Sequence, residues 1–147
     1  MENTSPHHLL GPSLAGRSRN DRSKQVVGSQ TLGAIGEELA YHFLLAKGYK
    51  VLLRNYECPI GEIDLIAKER GQLVFIEVKT RSSDEMGAPA EAVTFHKRRQ
   101  IGKCAQYYLK RYGIHDVPCR FDVLSIVLLP NKEPVFDLIE SAFMEGE

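Results

Sequence analysis

Five charged side chains on two neighbouring apolar stretches have the types and spacing to do chemistry. The first stretch runs through Gly61, Glu62, Ile63, Asp64, Leu65 and Ile66, and the second through Phe75, Ile76, Glu77, Val78, Lys79, Thr80 and Arg81. Side chains alternate faces along a strand. Glu62 and Asp64 therefore share one face of the first stretch, and Glu77, Lys79 and Arg81 share one face of the second. Ile63 and Leu65, and likewise Val74, Ile76 and Val78, take the other face, which is expected to pack into a core. Between the stretches stand Glu69, Arg70, Gly71 and Gln72, a turn-forming run. With Arg70 and Gly71 as the loop, Asp64 lies opposite Glu77 and Glu62 opposite Lys79. A slip of one residue would set apolar side chains against charged ones, so the register is well defined.

Directly opposed carboxylates destabilise a sheet unless something compensates them. A hard divalent cation does so: Mg²⁺ takes one or two carboxylates, keeps several waters and binds phosphate oxygens. Such an ion can lower the pKa of a bound water and polarise a phosphoryl group. Lys79 could orient the nucleophile or stabilise charge developing on a phosphate. These are the parts a phosphodiester hydrolase needs. A hairpin whose charged face is simply solvated fits the same spacing, and from the hairpin alone the two readings stand even.

Flanking segments add to the set. Glu37 stands early in an amphipathic helix expected over residues 31–47, where Leu32, Ile35, Leu39 and Phe43 recur at helical spacing. It lies near the edge of that stripe and could join a metal shell, although an acid in a first helical turn is also favoured by the helix dipole alone. A second helix is expected over residues 90–112. It carries Lys97, Arg98, Arg99, Lys103, Lys110 and Arg111 with no acid between residues 94 and 112. Solvated faces usually mix signs. A six-to-zero run suits phosphate neutralisation, which does not depend on base sequence. Few aromatic residues interleave with these charges, so base stacking is not signalled.

The elements that must position these residues follow in order. Ser29 or Thr31 can cap the first helix, and Gly48 can close it. Strands are expected over residues 49–56, 60–68 and 73–80, then a polar loop over 82–89 and the second helix. A fourth strand is expected over 120–129, bounded by Pro118 and Pro130, and a short fifth over 135–139. The order is α, β, β, β, α, β, β. The helical crossover lets the third and fourth strands lie parallel. The fold class is α/β, a mixed sheet flanked by helices.

The chain has 147 residues, enough for one domain with one core. Residues 1–28 are rich in Ser, Asn, Gly, Pro, Arg and His, without apolar period, and read as a disordered extension to a domain at 29–147. Arg17, Arg19, Arg22 and Lys24 in it could touch phosphate. The formal net charge is zero, but it is the sum of a basic segment and an acidic tail, with Glu133, Asp137, Glu140, Glu145 and Glu147 against Lys132 after residue 131. No apolar run approaches the roughly 20 residues of a membrane helix, and no secretory signal is evident. Cys58, Cys104 and Cys119 form no CxxC pair and read as reduced thiols, which points to the cytoplasm.

The chain over residues 33–126 resembles the YraN-type bacterial proteins, relatives of the archaeal Holliday-junction resolvases within the restriction-endonuclease-like superfamily. The matching residues are Gly33, Ala34, Ile35, Gly36, Glu37 and Ala40, then Gly48, Tyr49, Arg54 and Asn55, then the two stretches above. Gly87, Pro89, Ala92, Val93, Lys97, Ala105, Phe121, Asp122 and Val123 continue the match. The resemblance implies an αβββαβ core. It implies a nuclease site of Asp64, Glu77 and Lys79, with Glu37 in the place of the helix glutamate that often completes the resolvase-type site. It also implies one or two Mg²⁺ or Mn²⁺ ions on Asp64 and Glu77, and nucleic acid, foremost branched DNA, as substrate. Arg81, Lys97, Arg98, Arg99 and Lys103 are the expected nucleic-acid contacts. A homodimer is a further expectation, since resolvase-like proteins are often two-fold. Neither Gln100 nor Gln106 is followed four residues later by tyrosine, which argues against the RecB-like branch. A non-catalytic nucleic-acid-binding module and a protein-interaction module remain the alternatives, because fold does not determine function.

Overall fold

The computed structural model describes residues 26–27, 30–82 and 93–144. The basic residues expected in the N-terminal extension, the polar loop over 83–89, the expected helix start at 90–92, Ser29 and the final acids Glu145 and Glu147 lie outside the described residues. Two short strands, β1 (Val26–Val27) and β2 (Gln30–Thr31), pair antiparallel just ahead of helix α1 (Leu32–Ala46). Strands β3 (Lys50–Cys58), β4 (Gly61–Glu69) and β5 (Gln72–Arg81) follow. Helix α2 (Phe95–Arg111) leads to β6 (Cys119–Val127) and β7 (Val135–Phe143). The main sheet has five strands in the order β3-β4-β5-β6-β7. Only the β5–β6 pair, joined through α2, is parallel. This is the mixed α/β sheet with flanking helices that a restriction-endonuclease-like core requires. Among the described residues no helix is long and apolar enough to cross a membrane.

Local chemistry fixes the element ends. The Thr31 hydroxyl accepts the Ala34 N–H at 3.1 Å and caps α1. At the other end Gly48 takes φ 97°, and Tyr49 N–H reaches back to the Leu44 carbonyl at 3.0 Å. The β4–β5 turn puts Arg70 at φ 54° and Gly71 at φ 77°, the pair of positive φ values that a two-residue type I′ hairpin demands. The register runs Glu69↔Gln72 to Leu65↔Ile76, as the sequence predicts.

The expectation of a single apolar sheet face is corrected. Both faces are covered, as is usual for sheets with helical crossovers. On one, Ala40 and Leu44 of α1 pack over Leu65, Val74, Ile76, Leu124 and Ile126. On the other, Ile101, Cys104, Ala105 and Tyr108 of α2 pack over Ile66, Phe75, Phe121 and Val123. Each fully buried large side chain contributes roughly 1.5–3 kcal/mol of transfer free energy. The α1 stripe is turned one residue from the expected one: Gly36, Ala40 and Leu44 face inward. Gly36 allows that approach, since a Cβ there would stand 1.8 Å from Thr80 Oγ1.

Two further boundaries differ from expectation. Helix α2 starts at Phe95, because the Thr94 hydroxyl accepts the Lys97 N–H at 3.2 Å and caps it there. Strand β7 continues to Phe143, whose ring stacks on Phe121 at 5.1 Å.

Candidate functional site

The β4–β5 ladder holds as far as Leu65↔Ile76. Beyond it, the Asp64 carboxylate takes up the Val78 N–H at 2.8 Å instead of leaving it to a ladder partner. On the other side of β4, pairing with β3 runs Arg54↔Leu65 and then Tyr56↔Ile63, and between them Asn55 takes φ 54°. The pairing keeps its register through this point, and the start of β4 turns over beside it. Ile63 packs on the α2 side while Leu65 packs on the α1 side, so the expectation that they share a face is corrected. Strict alternation fails where β3 carries Asn55 in a left-handed conformation that most residues avoid.

The result brings Asp64 and Glu77 together on the α2 side. Each carboxyl acts electrostatically on the other, and Asp64 is anchored to the backbone N–H next to Glu77. Burial pushes both carboxyls up, and Glu77 rises well above the usual carboxylate range, with the Asp64 charge adding to the effect. The Glu77 side chain is only 12% exposed. The Val78 N–H acts the other way on Asp64 and favours its charged form. Of the two, Glu77 is the stronger candidate to hold a proton when no cation is present.

Two lysines face this pair. Lys97, from the first turn of α2, places Nζ 3.6 Å from Glu77 Oε2. The Glu77 charge raises the Lys97 pKa, while partial burial works against it. Lys79 is exposed near the end of β5 and acts on both carboxyls electrostatically. Glu62 also lies within electrostatic reach of Lys97. Close by, Gln100 of α2 donates to the Ile60 carbonyl at 2.9 Å and seats its amide over Gly61, where a Cβ would lie 2.8 Å from Gln100 Nε2. These contacts lock the α2 N-terminus over the start of β4.

The expected site residues therefore divide. Asp64, Glu77 and Lys79 converge. Glu37 is half-buried on α1, which covers the opposite face of the sheet, and it follows Gly36 at the Thr80 contact. The charges that act most strongly on the two carboxyls are each other, Lys97 and Lys79. Among the expected nucleic-acid contacts, Lys97 turns inward to Glu77, while Arg99 and Lys103 are exposed on the outer side of α2. Arg98 is half-buried, with Nε enclosed and without a hydrogen bond among the described residues. Arg81 Nη2 reaches Ser125 Oγ at 3.4 Å. Helical spacing marks the inward position of Lys97, one turn before Ile101.

Among the described residues no group of three or more His, Cys, Asp or Glu side chains gathers to hold a metal ion. Two adjacent carboxylates nevertheless suit a hard divalent ion, whose remaining positions water and phosphate oxygens can fill. The pair of like charges in a partly desolvated place is the feature a cation would relieve.

Two polar contacts lie outside the expected site residues. Cys58 Sγ and Cys104 Sγ approach to 3.4 Å across the β3 end and α2, so the thiols are neighbours despite their separation. Burial pushes the Cys104 thiol up, which keeps it protonated. At the far end of the sheet Arg120 is 7% exposed and Asp122 fully buried. Opposite charges two residues apart on one strand face were the available signal for that pair.

A family model described as "Uncharacterised protein family UPF0102" matches residues 36–126. The chain is 47% identical over 106 residues to a UPF0102 protein of Caldanaerobacter subterraneus, covering 72% of this chain and 87% of the relative. It is 45% identical over 115 residues to one of Symbiobacterium thermophilum, covering 78% and 98%. With one of Clostridioides difficile it shares 44% identity over 100 residues, covering 68% and 88%. The matched span contains Asp64, Glu77, Lys79 and Lys97.

Proposed function

The chain belongs to the UPF0102 family, and from that premise we propose that it is a divalent-metal-dependent endonuclease that hydrolyses phosphodiester bonds of nucleic acid, foremost branched DNA. The observation that carries the proposal is the Asp64–Glu77 pair, two partly buried carboxyls drawn together and faced by lysines. A solvated charged hairpin would keep such groups apart and hydrated. Asp64 and Glu77 would hold one or two Mg²⁺ or Mn²⁺ ions, with the Val78 N–H fixing the Asp64 carboxylate. A divalent ion there supplies an activated water at neutral pH and a Lewis-acid contact to the phosphoryl oxygen. Lys79, exposed beside the pair, orients the attacking water or meets charge developing on the phosphate. Glu37, next to Gly36 at the Thr80 contact, would support the metal shell from α1. Arg99 and Lys103 neutralise phosphates further along the strand, with Arg81 and Arg98 at its near side. A resolvase-like homodimer working in the cytoplasm would suit a two-fold junction.

The test is cleavage of labelled four-way junction, flap and single-stranded DNA by wild type and Asp64→Ala, in Mn²⁺ and in EDTA. Mn²⁺-dependent nicking by wild type that falls at least about a hundredfold in the variant is expected. The exposed basic side of α2 favours a second reading, a binding module without catalysis. Salt-sensitive DNA binding by both proteins, with no nicking by either, would establish that reading instead.

A further inference from the structure

The ion pair between Lys97 and Glu77 has a consequence that rests on the metal-site reading above. The ammonium stands 3.6 Å from Glu77 Oε2, beyond the range of a close hydrogen bond, so the contact is mainly Coulombic. The Lys97 side chain is 37% exposed, and its head has a way out to solvent. The helix under it does not: Ile101, Cys104, Ala105 and Tyr108 bury α2 in the core, and Gln100 ties it to Ile60. Movement is confined to the four-carbon lysine stem, which is flexible. Glu62, also near Lys97, offers the head a second partner when it leaves Glu77.

A divalent ion on Asp64 and Glu77 and an ammonium on the same Glu77 repel each other across a few ångströms in a partly desolvated place. Both cannot hold Glu77 at full strength. We propose that Lys97 is the resident counter-ion of the Asp64–Glu77 pair, so that a divalent ion takes the pair only as the Lys97 ammonium leaves Glu77 and becomes available to a phosphate. Lys97 is thus a positioning residue in the metal-free protein and a phosphate contact in the loaded one. Metal and phosphate then favour each other's binding, because each draws Lys97 in the same direction, and the coupling is reciprocal. In the metal-free protein Lys97 offsets only part of the charge of the two carboxyls.

The experiment is Mn²⁺ titration of the full chain without DNA, at mildly alkaline pH, followed by electron paramagnetic resonance. Wild type, Lys97→Met, Lys97→Gln, Lys97→Arg and Asp64→Ala are compared, with folding of each checked by circular dichroism. The two neutral variants guard against one of them failing to fold. Lys97→Met or Lys97→Gln should bind Mn²⁺ about tenfold more tightly than wild type, Lys97→Arg about as wild type, and Asp64→Ala not at all. A merely structural lysine would not raise metal affinity on removal. Adding a short DNA duplex should tighten Mn²⁺ binding in wild type and lose that effect in Lys97→Met. Unchanged or weaker Mn²⁺ binding in both neutral variants, with Asp64→Ala still silent, overturns the counter-ion role and leaves the metal site standing. No Mn²⁺ binding by any protein overturns both.

Discussion

Around Arg120 every charge is answered, and around Glu77 it is not. Arg120 donates through Nε to Asp122 Oδ1 at 2.9 Å, through Nη1 to Glu69 and Gln72 at 3.1 and 3.0 Å, and through Nη2 to Asp122 Oδ2 and Tyr49 Oη at 2.9 and 2.7 Å. Asp122 also accepts from Tyr49 Oη at 3.1 Å and from the Ser141 N–H at 3.0 Å. Glu69 gains a second cation, Arg70, at 3.2 Å. Acids and bases alternate, and the network staples the β4–β5 turn to β6 and β7. At the other end of β5 two acids adjoin each other, both carboxyls are driven up by burial, and the nearest cation stands off at 3.6 Å. The first cluster is complete without a ligand. The second is complete only when something positive joins it, which is how a binding site differs from a structural ion network.

The largest expected effect breaks the complete cluster. Arg120→Met keeps most of the volume but strands Asp122, which is fully buried. Removing one partner of such a group typically costs about 3–5 kcal/mol. A urea midpoint well below that of wild type is expected, with Mn²⁺ affinity retained in the fraction still folded. A small stability change would mean that the network is not what holds this end of the sheet.

The second prediction has the opposite sign. Glu77→Gln removes one of two like charges and should stabilise the metal-free protein at neutral pH, at the cost of metal binding and nicking. The pH dependence follows from the direction of the shift. A carboxyl whose folded pKa lies above its unfolded value binds its proton more tightly when folded. Its contribution is most favourable below the unfolded pKa and is lost as pH rises through the folded one. Urea midpoints of wild type and Glu77→Gln should therefore converge as pH falls from neutral towards the ordinary carboxylate range. Adding Mn²⁺ at neutral pH should raise the wild-type midpoint and leave the variant where it was. Parallel curves at all pH values would put Glu77 with the satisfied charges, and the contrast between the two ends would fail.

These two clusters were unequally legible in the sequence. The hairpin register and the Asp64–Glu77 juxtaposition follow from alternation and from the Arg70–Gly71 turn, both local and strongly constrained. The parallel β5–β6 pair follows from a single helical crossover. The turnover of β4 at Ile63 does not, because it leaves the polar pattern of the strand unchanged. The apolar stripe of α1 lies one residue out of phase with its buried face, since Gly36 and Ala40 face the sheet by being small. Lys97 belongs to a basic run by charge, whereas its helical spacing from Ile101 points it inward. The Cys58–Cys104 approach joins residues far apart in sequence and leaves no local trace. Arg120 and Asp122 were readable as opposite charges on one strand face, but Tyr49 and Glu69 join them only through tertiary packing.

The smallest effect tests whether the two ends are separate. Tyr49→Phe keeps the ring in the core under α1 and removes only the hydroxyl, which accepts from Arg120 at 2.7 Å and donates to Asp122 at 3.1 Å. Burial, then the Asp122 charge, hold that hydroxyl in its protonated, donating form. Arg120 and Asp122 keep their direct contacts, so the loss should be about 1–2 kcal/mol, the ordinary cost of a hydrogen bond to charged groups. Combined with Glu77→Gln, the two changes oppose in sign and should add to within about 0.5 kcal/mol, because residues without shared partners rarely couple. The urea midpoints of both single variants and the double variant measure this directly. Additivity means that β5 carries a structural ion network at its start and a cation-seeking pair near its end that are tuned independently. A coupling well above that margin would mean that charge at one end of the strand is felt at the other, and the network around Arg120 would then belong to the site.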